Sequence, residues 1–274
     1  MGRGITLTIA GSGMEVMLYD LNPQVISAAA AQIEKELDAD VEKKRISPED
    51  KGRIKSLITY SSDISRCRAP LIIEAIIEKT AVKSELFREL ALINDKETIY
   101  ATNTSSLSVT GIAGQTPFPE RVIGVHFFNP ANRMKLVEVI RTRYNGDEIL
   151  KRVVDFVQRL LKVPVVCQDA PGFIVNHVAR PFYLEALRLA EGKVADMASI
   201  DKLMESAGFK MGPFRLMDLI GNDINYTVSC SLYEALGKPA RLRPSRLQEE
   251  KVETGALGKK AGRGFFEYAK SVTE

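Results

Sequence analysis

The stretch that most constrains this chain is Val122–Ile140, VIGVHFFNPANRMKLVEVI, in which two apolar runs flank a polar turn. Val122–Phe127 reads as a buried strand with His126 near its end, and Lys135–Ile140 reads as a second strand. Between them Asn129-Pro130-Ala131-Asn132 has the chemistry of a turn, since proline fixes φ and asparagine tolerates tight backbone conformations. Glu138 lies inside the second run, between Val137 and Val139. A carboxylate is costly to bury there unless it meets a charged or hydrogen-bonding partner. The nearest candidate is His126, twelve positions upstream across the turn. A carboxylate that holds an imidazole fixes its tautomer, which suits a general base near neutral pH. Two unrelated polar residues at strand ends would give the same spacing, so spacing alone leaves both readings open.

Further motifs narrow the choice. HFFNP followed by MKLVEVI closely resembles the 3-hydroxyacyl-CoA dehydrogenase family, including 3-hydroxybutyryl-CoA dehydrogenases. So do NTSSLSVTGIA at Asn103–Ala113, PGFIVNHV at Pro171–Val178, MGPFRLMDLIG at Met211–Gly221 and GKKAGRGFFEY at Gly258–Tyr268. These motifs run in family order over nearly the whole chain, with one gap at the N-terminus.

Composition excludes several other classes. The 274 residues, 45% hydrophobic, suffice for a sizeable core and one or two domains. Charge is nearly balanced, 38 basic against 35 acidic residues, with no long like-charge run, so no nucleic-acid partner is expected. The small positive excess favours anionic small ligands. Cys67, Cys167 and Cys230 are far apart and form no metal-ligand spacing, so no metal is expected and free thiols in a reducing compartment are. No apolar run is long enough to span a membrane, and the first residues show no signal-peptide pattern. A soluble, cytoplasmic protein is the expectation.

Read in order, the chain opens with a helix-compatible stretch, Ile5–Ala10, stopped by Gly11-Ser12-Gly13. Glu15–Tyr19 reads as a strand ended by Asp20. An acid at the end of the second strand of a βαβ unit is where a dinucleotide's ribose hydroxyls bind, and Asp20 lies 18 residues after Gly2, close to the usual spacing. No arginine follows to accept a 2′-phosphate, which favours NAD. The alternative is a strand-end Asp that caps the next helix, for which Asn22-Pro23 is the better start signal. A long helix over Asn22–Lys44 and a second one capped at Ser47-Pro48 follow, then strands at Leu57–Tyr60, Leu71–Ile73 and Thr98–Ala101. Asp169-Ala170-Pro171 reads as a helix start and as a domain boundary, after which the sequence reads as helices.

The resemblance implies an α/β, doubly wound Rossmann-type sheet in residues 1–168 and an all-α domain in residues 169–274 for substrate and dimer contacts. It implies NAD as cofactor, an acyl-CoA substrate and a homodimer. By resemblance His126 takes the hydroxyl proton, Glu138 orients His126, and Ser105 and Asn176 contact the substrate. Glu78 and Lys83 line the nicotinamide-ribose side, and Asn103 faces the nicotinamide. Lys43 and Lys44 lie in a helical excursion that could meet CoA phosphates. Each has a plainer alternative: a helix-start acid, a surface lysine, a helix N-cap at Asn103–Ser106, a solvated basic C-cap. His177, beside Asn176, is expected to be structural.

Family members begin with a strand and a G-x-G-x-x-G turn, whereas Met1-Gly2-Arg3-Gly4-Ile5 matches only the end of that turn, with Gly2 as its third glycine. The first strand is therefore expected to be missing, pointing to a late start rather than an evolved deletion, and to weak NAD binding. Two other function classes stay open: a homologue that keeps the fold without turnover, and a dehydrogenase of a non-CoA hydroxy acid.

Overall fold

In the computed structural model, residues 1–268 are described; the last six positions of the expected 169–274 domain lie outside them. The chain divides into two compact units, Met1–Ala170 and Pro171 onward.

The first unit carries α1 (Gly2–Gly11), β1 (Val16–Tyr19), α2 (Pro23–Glu42), α3 (Pro48–Ser56), β2 (Ile58–Ser61), β3 (Leu71–Glu74) and α4 (Thr80–Ala91). It continues with β4 (Ile99–Thr102), α5 (Val109–Ala113), β5 (Val122–Phe127), β6 (Leu136–Arg141), α6 (Asp147–Arg159) and β7 (Val163–Gln168). Strands β3-β4-β5-β6-β7 form one sheet in that order, parallel except for the β5–β6 pair. Strands β1 and β2 form a separate parallel pair. The pair is joined to the larger sheet by packing: Ile5 and Ile9 of α1, Val16 of β1 and Leu71 and Ile73 of β3 share one apolar cluster.

Side chains alternate across a strand, so β4 and β5 feed two layers. Ile99, Ala101, Ile123, Val125 and Phe127 pack with α1, with Val153 and Val157 of α6 and with Leu160 at its end. Tyr100 and Val122 face the other way, onto Phe87 and Leu90 of α4 and Ile112 and Ala113 of α5. Helices on both faces explain why these strands read as continuous apolar runs. Gly124 is required inside β5: a Cβ there would lie 2.7 Å from Cβ of Ile140 on β6.

The second unit contains α7 (Val175–Glu191), α8 (Met197–Ser206), α9 (Pro213–Ile220), α10 (Asn222–Ala235) and α11 (Arg246–Glu253). Two buried acids organise it. Asp201 of α8 accepts the Phe214 and Arg215 amides at 2.9 and 3.0 Å, which satisfies the start of α9. Asp218 of α9 accepts the amides of Phe265 and Phe266 at 2.9 and 3.0 Å and the Tyr268 hydroxyl at 3.0 Å. That carboxylate fixes the segment after the glycine-basic loop.

One expected helix start is corrected. Asp169-Ala170-Pro171 does not open α7, which begins at Val175 after Gly172 and Phe173, at φ 74° and 49°, have turned the backbone. The Asp169 carboxylate instead accepts the Ser108 hydroxyl and the Thr110 amide, each at 2.7 Å, and so serves the start of α5.

Candidate active site

His126 and Glu138 come from adjacent antiparallel strands and are direct register partners. Imidazole Nδ1 lies 2.7 Å from Glu138 Oε2, and the side chains are 7% and 1% exposed. The two atoms meet because cross-strand partners hold their Cβ atoms about 5 Å apart. The hairpin that sets this register is clamped from outside: Lys162 Nζ donates to the Ala131 and Met134 carbonyls, each at 2.7 Å. Burial pushes the Lys162 ammonium down from its ordinary value. The turn includes a cis Asn129–Pro130 peptide bond.

A second polar assembly lies at the carboxyl ends of β3 and β4, the edge at which open α/β sheets place ligands. Asn103 accepts the Phe127 amide through its side-chain carbonyl at 2.9 Å and so ties this loop to the end of β5. Glu78 accepts the Ser105 amide at 3.0 Å, together with hydroxyls of Thr104 and Ser106. Lys83 is 1% exposed, with its ammonium 2.5 Å from Glu74 and 3.1 Å from Glu78. Lys83 is buried rather than a surface lysine, Glu78 precedes α4 and reaches the loop after β4, and the cap of α5 is Ser108 rather than the Asn103–Ser106 run. Burial raises the Glu78 carboxyl, but the Thr104 hydroxyl and the Lys83 charge outweigh it, and the net shift is downward.

Glu74 went unnoticed in the sequence. The signal was present: it closes the apolar run Leu71–Ile73, and a carboxylate ending a buried strand needs a partner.

Asp20 stands at the carboxyl end of β1, half-buried, with one carboxylate oxygen accepting the Asn22 amide at 2.9 Å. The cap of α2 is Asn22, whose side chain accepts from the Gln24 amide. The first turn of α1 has no side-chain cap, and Gly2 there faces Leu18 of β1. Uncapped amides of a helix start and an acid at the end of the neighbouring strand fit the pyrophosphate and the ribose of a dinucleotide. Lys43 is the C-cap of α2, Lys44 has φ 53°, and both are exposed, as is Arg45, which pairs with Asp40.

Asn176 lies in the first turn of α7, in the helical unit, and is half-buried. Its neighbour His177 is exposed, with Nδ1 3.0 Å from the Pro171 carbonyl. All three cysteines are free thiols. Burial pushes Cys167 up to about 11, reinforced by Glu138 and Asp169, so its thiolate is scarce at neutral pH. Among the described residues no group of His, Cys, Asp and Glu is arranged to hold a metal, and no helix is long and apolar enough to cross a membrane.

Comparison with known proteins gives two family matches that together span the described chain. Residues 1–170 match the 3-hydroxyacyl-CoA dehydrogenase NAD binding domain, and residues 172–268 match the C-terminal domain of the same family. The chain is 42% identical to a 3-hydroxyadipyl-CoA dehydrogenase of Escherichia coli K12 over 98% of its own length and 57% of that protein. It is 40% identical to a probable 3-hydroxybutyryl-CoA dehydrogenase of Bacillus subtilis over 98% of its own length and 94% of the relative. The fold is similar to that of the crystal structure of (S)-3-hydroxybutyryl-CoA dehydrogenase from Ralstonia eutropha, with a TM-score of 0.93, 32% identity, and 98% and 96% of the two chains covered. The chain thus spans little more than half of the E. coli relative and nearly all of the other two.

Proposed function

The chain belongs to the 3-hydroxyacyl-CoA dehydrogenase family, and on that premise we propose that it catalyses the reversible NAD-dependent oxidation of an L-3-hydroxyacyl-CoA to the 3-ketoacyl-CoA, with 3-hydroxybutyryl-CoA as the substrate to test first. The observation that carries this reading is the buried His126–Glu138 pair. With Nδ1 committed to Glu138, proton exchange with the substrate hydroxyl falls to Nε2. Glu138 keeps the ring in one tautomer and stabilises the imidazolium that forms, as a buried acid does for a catalytic histidine. Ser105 and Asn176 are assigned to the substrate oxygens, as polar groups suited to the developing charge. Bound NAD supplies the hydride acceptor for carbon 3.

Residues 1–168 form the dinucleotide domain in this proposal and residues 169–274 the domain for substrate and dimer contacts. Asp20 and Gly2 bind the cofactor, with Asn103, Glu78 and Lys83 on its nicotinamide side. Lys83 acts there through Glu78, since its own ammonium is enclosed. Lys43 and Lys44 are assigned to the CoA phosphates, which their exposure permits. The protein is further proposed to be a cytoplasmic homodimer. Apolar side chains exposed on the helical unit, Leu203 at 68%, Leu219 at 53% and Ile224 at 49%, support the dimer. Sedimentation equilibrium tests it, and a monomer at micromolar concentration counts against it.

The test of function is NADH formation from 3-hydroxybutyryl-CoA and NAD, followed by absorbance. Turnover supports the reading. Turnover of a free 3-hydroxy acid without CoA affinity would instead favour a non-CoA dehydrogenase, and NADH binding without turnover on either would favour a homologue that has lost the chemistry.

A further inference from the structure

We propose that Glu74 is a positioning residue for the loop that carries Ser105, acting through Lys83 and Thr102. Glu74 is the last residue of β3, and its side chain is fully enclosed, at 0% exposure. It is the register partner of Thr102, the last residue of β4, so the strand ladder itself brings the carboxylate to the root of the loop. Both carboxylate oxygens and the backbone carbonyl of Glu74 are engaged. Oε2 accepts the Thr102 hydroxyl at 2.7 Å, and the backbone carbonyl accepts the Asn103 amide at 2.9 Å. Oε1 accepts the Ile76 amide at 2.8 Å and the Lys83 ammonium at 2.5 Å.

Two routes run from this carboxylate to Ser105. Along the first, the Thr102 hydroxyl accepts the Thr104 amide at 3.3 Å, and the Thr104 hydroxyl donates to Glu78. Along the second, Lys83 donates to Glu78 at 3.1 Å, and Glu78 accepts the Ser105 amide at 3.0 Å. The ammonium has three donors and meets three acceptors: Glu74, Glu78 and, at 3.4 Å, the Ile76 carbonyl.

The charge count explains why Glu74 would matter beyond neutralising Lys83. One enclosed ammonium is shared by two carboxylates, only one of which holds the Ser105 amide. If Glu74 is made neutral, the ammonium keeps one full counter-charge, Glu78. A desolvated charge left with a single counter-charge binds it more tightly, because no second carboxylate competes for it. Glu78 is 37% exposed and therefore has room to shift toward the lysine, away from the Ser105 amide.

The inference rests on the reading of Ser105 as a substrate contact, and its test separates the two. In Glu74→Gln, which keeps size and one hydrogen-bonding oxygen, amide hydrogen exchange over residues 103–107 of the full-length, ligand-free protein is expected to speed up about tenfold, the scale of one lost charge-assisted hydrogen bond. Exchange in β5 and in the helical unit should stay as in the parent. In the kinetic arm, Glu74→Gln is expected to lower kcat/KM about tenfold in the parent background and to add nothing in a Ser105→Ala background, since contacts acting through one another are non-additive. Unchanged exchange over 103–107, or effects that multiply in the double variant, would overturn the proposal. If Glu74→Gln does not fold, Thr102→Val removes the other route and is read in the same way. A parent protein without turnover would refute the reading of function, and the exchange arm would still decide the positioning role.

Discussion

His126 and Glu138 are register partners across the antiparallel strands β5 and β6, with imidazole Nδ1 2.7 Å from the carboxylate. A slip of one residue in this hairpin would replace Glu138 by Val137 or Val139 and turn the acid to the opposite face of the sheet. The chemistry therefore depends on the turn that sets the register and on Lys162, which holds that turn from outside the pair.

The first prediction follows from this pair. His126→Gln and Glu138→Gln should each lower kcat by about two orders of magnitude or more, the scale of a positioned acid–base group. NADH titration should be nearly unchanged in both, because neither residue is assigned to the cofactor. Retention of most turnover by His126→Gln would remove the dyad from the mechanism.

The cofactor preference is the second. A carboxylate at the end of β1 accepts ribose hydroxyls and repels a 2′-phosphate. The parent protein should show a clear preference for NAD over NADP in kcat/KM, and Asp20→Ala should narrow it. Equal values for the two cofactors in the parent would contradict the assignment.

Glu78 makes the third prediction, which concerns pH. Its carboxyl is held below the ordinary glutamate value of 4.5 in the folded protein. A depressed acid contributes stability that is fully present above the unfolded value and is lost as pH falls through the folded one. The difference in melting temperature between the parent and Glu78→Gln should thus be largest near neutral pH and shrink below about 4.5. A constant difference from neutral to strongly acidic pH would show that the charge of Glu78 contributes nothing.

A fourth prediction tests the helical unit. At Gly264 a Cβ would lie 2.0 Å from Oδ1 of Asp218, the atom that accepts the Phe265 amide. Gly264→Ala should destabilise the protein by about 1–3 kcal/mol through overpacking, read as a lower denaturation midpoint with an unchanged slope. A midpoint equal to that of the parent would mean the segment can move aside freely.

Much of this molecule is written in local sequence. Apolar runs of strand length, helical periodicity, and caps at Asn22, Ser47 and Ser245 specify which segments become strands and helices, because each signal acts over a few residues. The apolar setting of Glu138 likewise announced that this acid needs a partner. Motif order then led to the family, since His126, Glu138, Ser105 and Asn176 sit inside continuous motifs that can be matched residue by residue.

Tertiary structure decided what depends on contacts between distant segments. Lys83, for which a surface lysine was the plainer alternative, is enclosed because the end of β3 and the segment before α4 bring the carboxylates of Glu74 and Glu78 around it. Glu74 acquires its role only when the β3–β4 register sets it opposite Thr102. Asp169 stands two residues before a proline and resembles a local cap, but the end of β7 delivers it to α5, some sixty residues earlier in the chain. In each case a buried charge or an orphan amide had several possible partners in sequence, and strand order and register selected one.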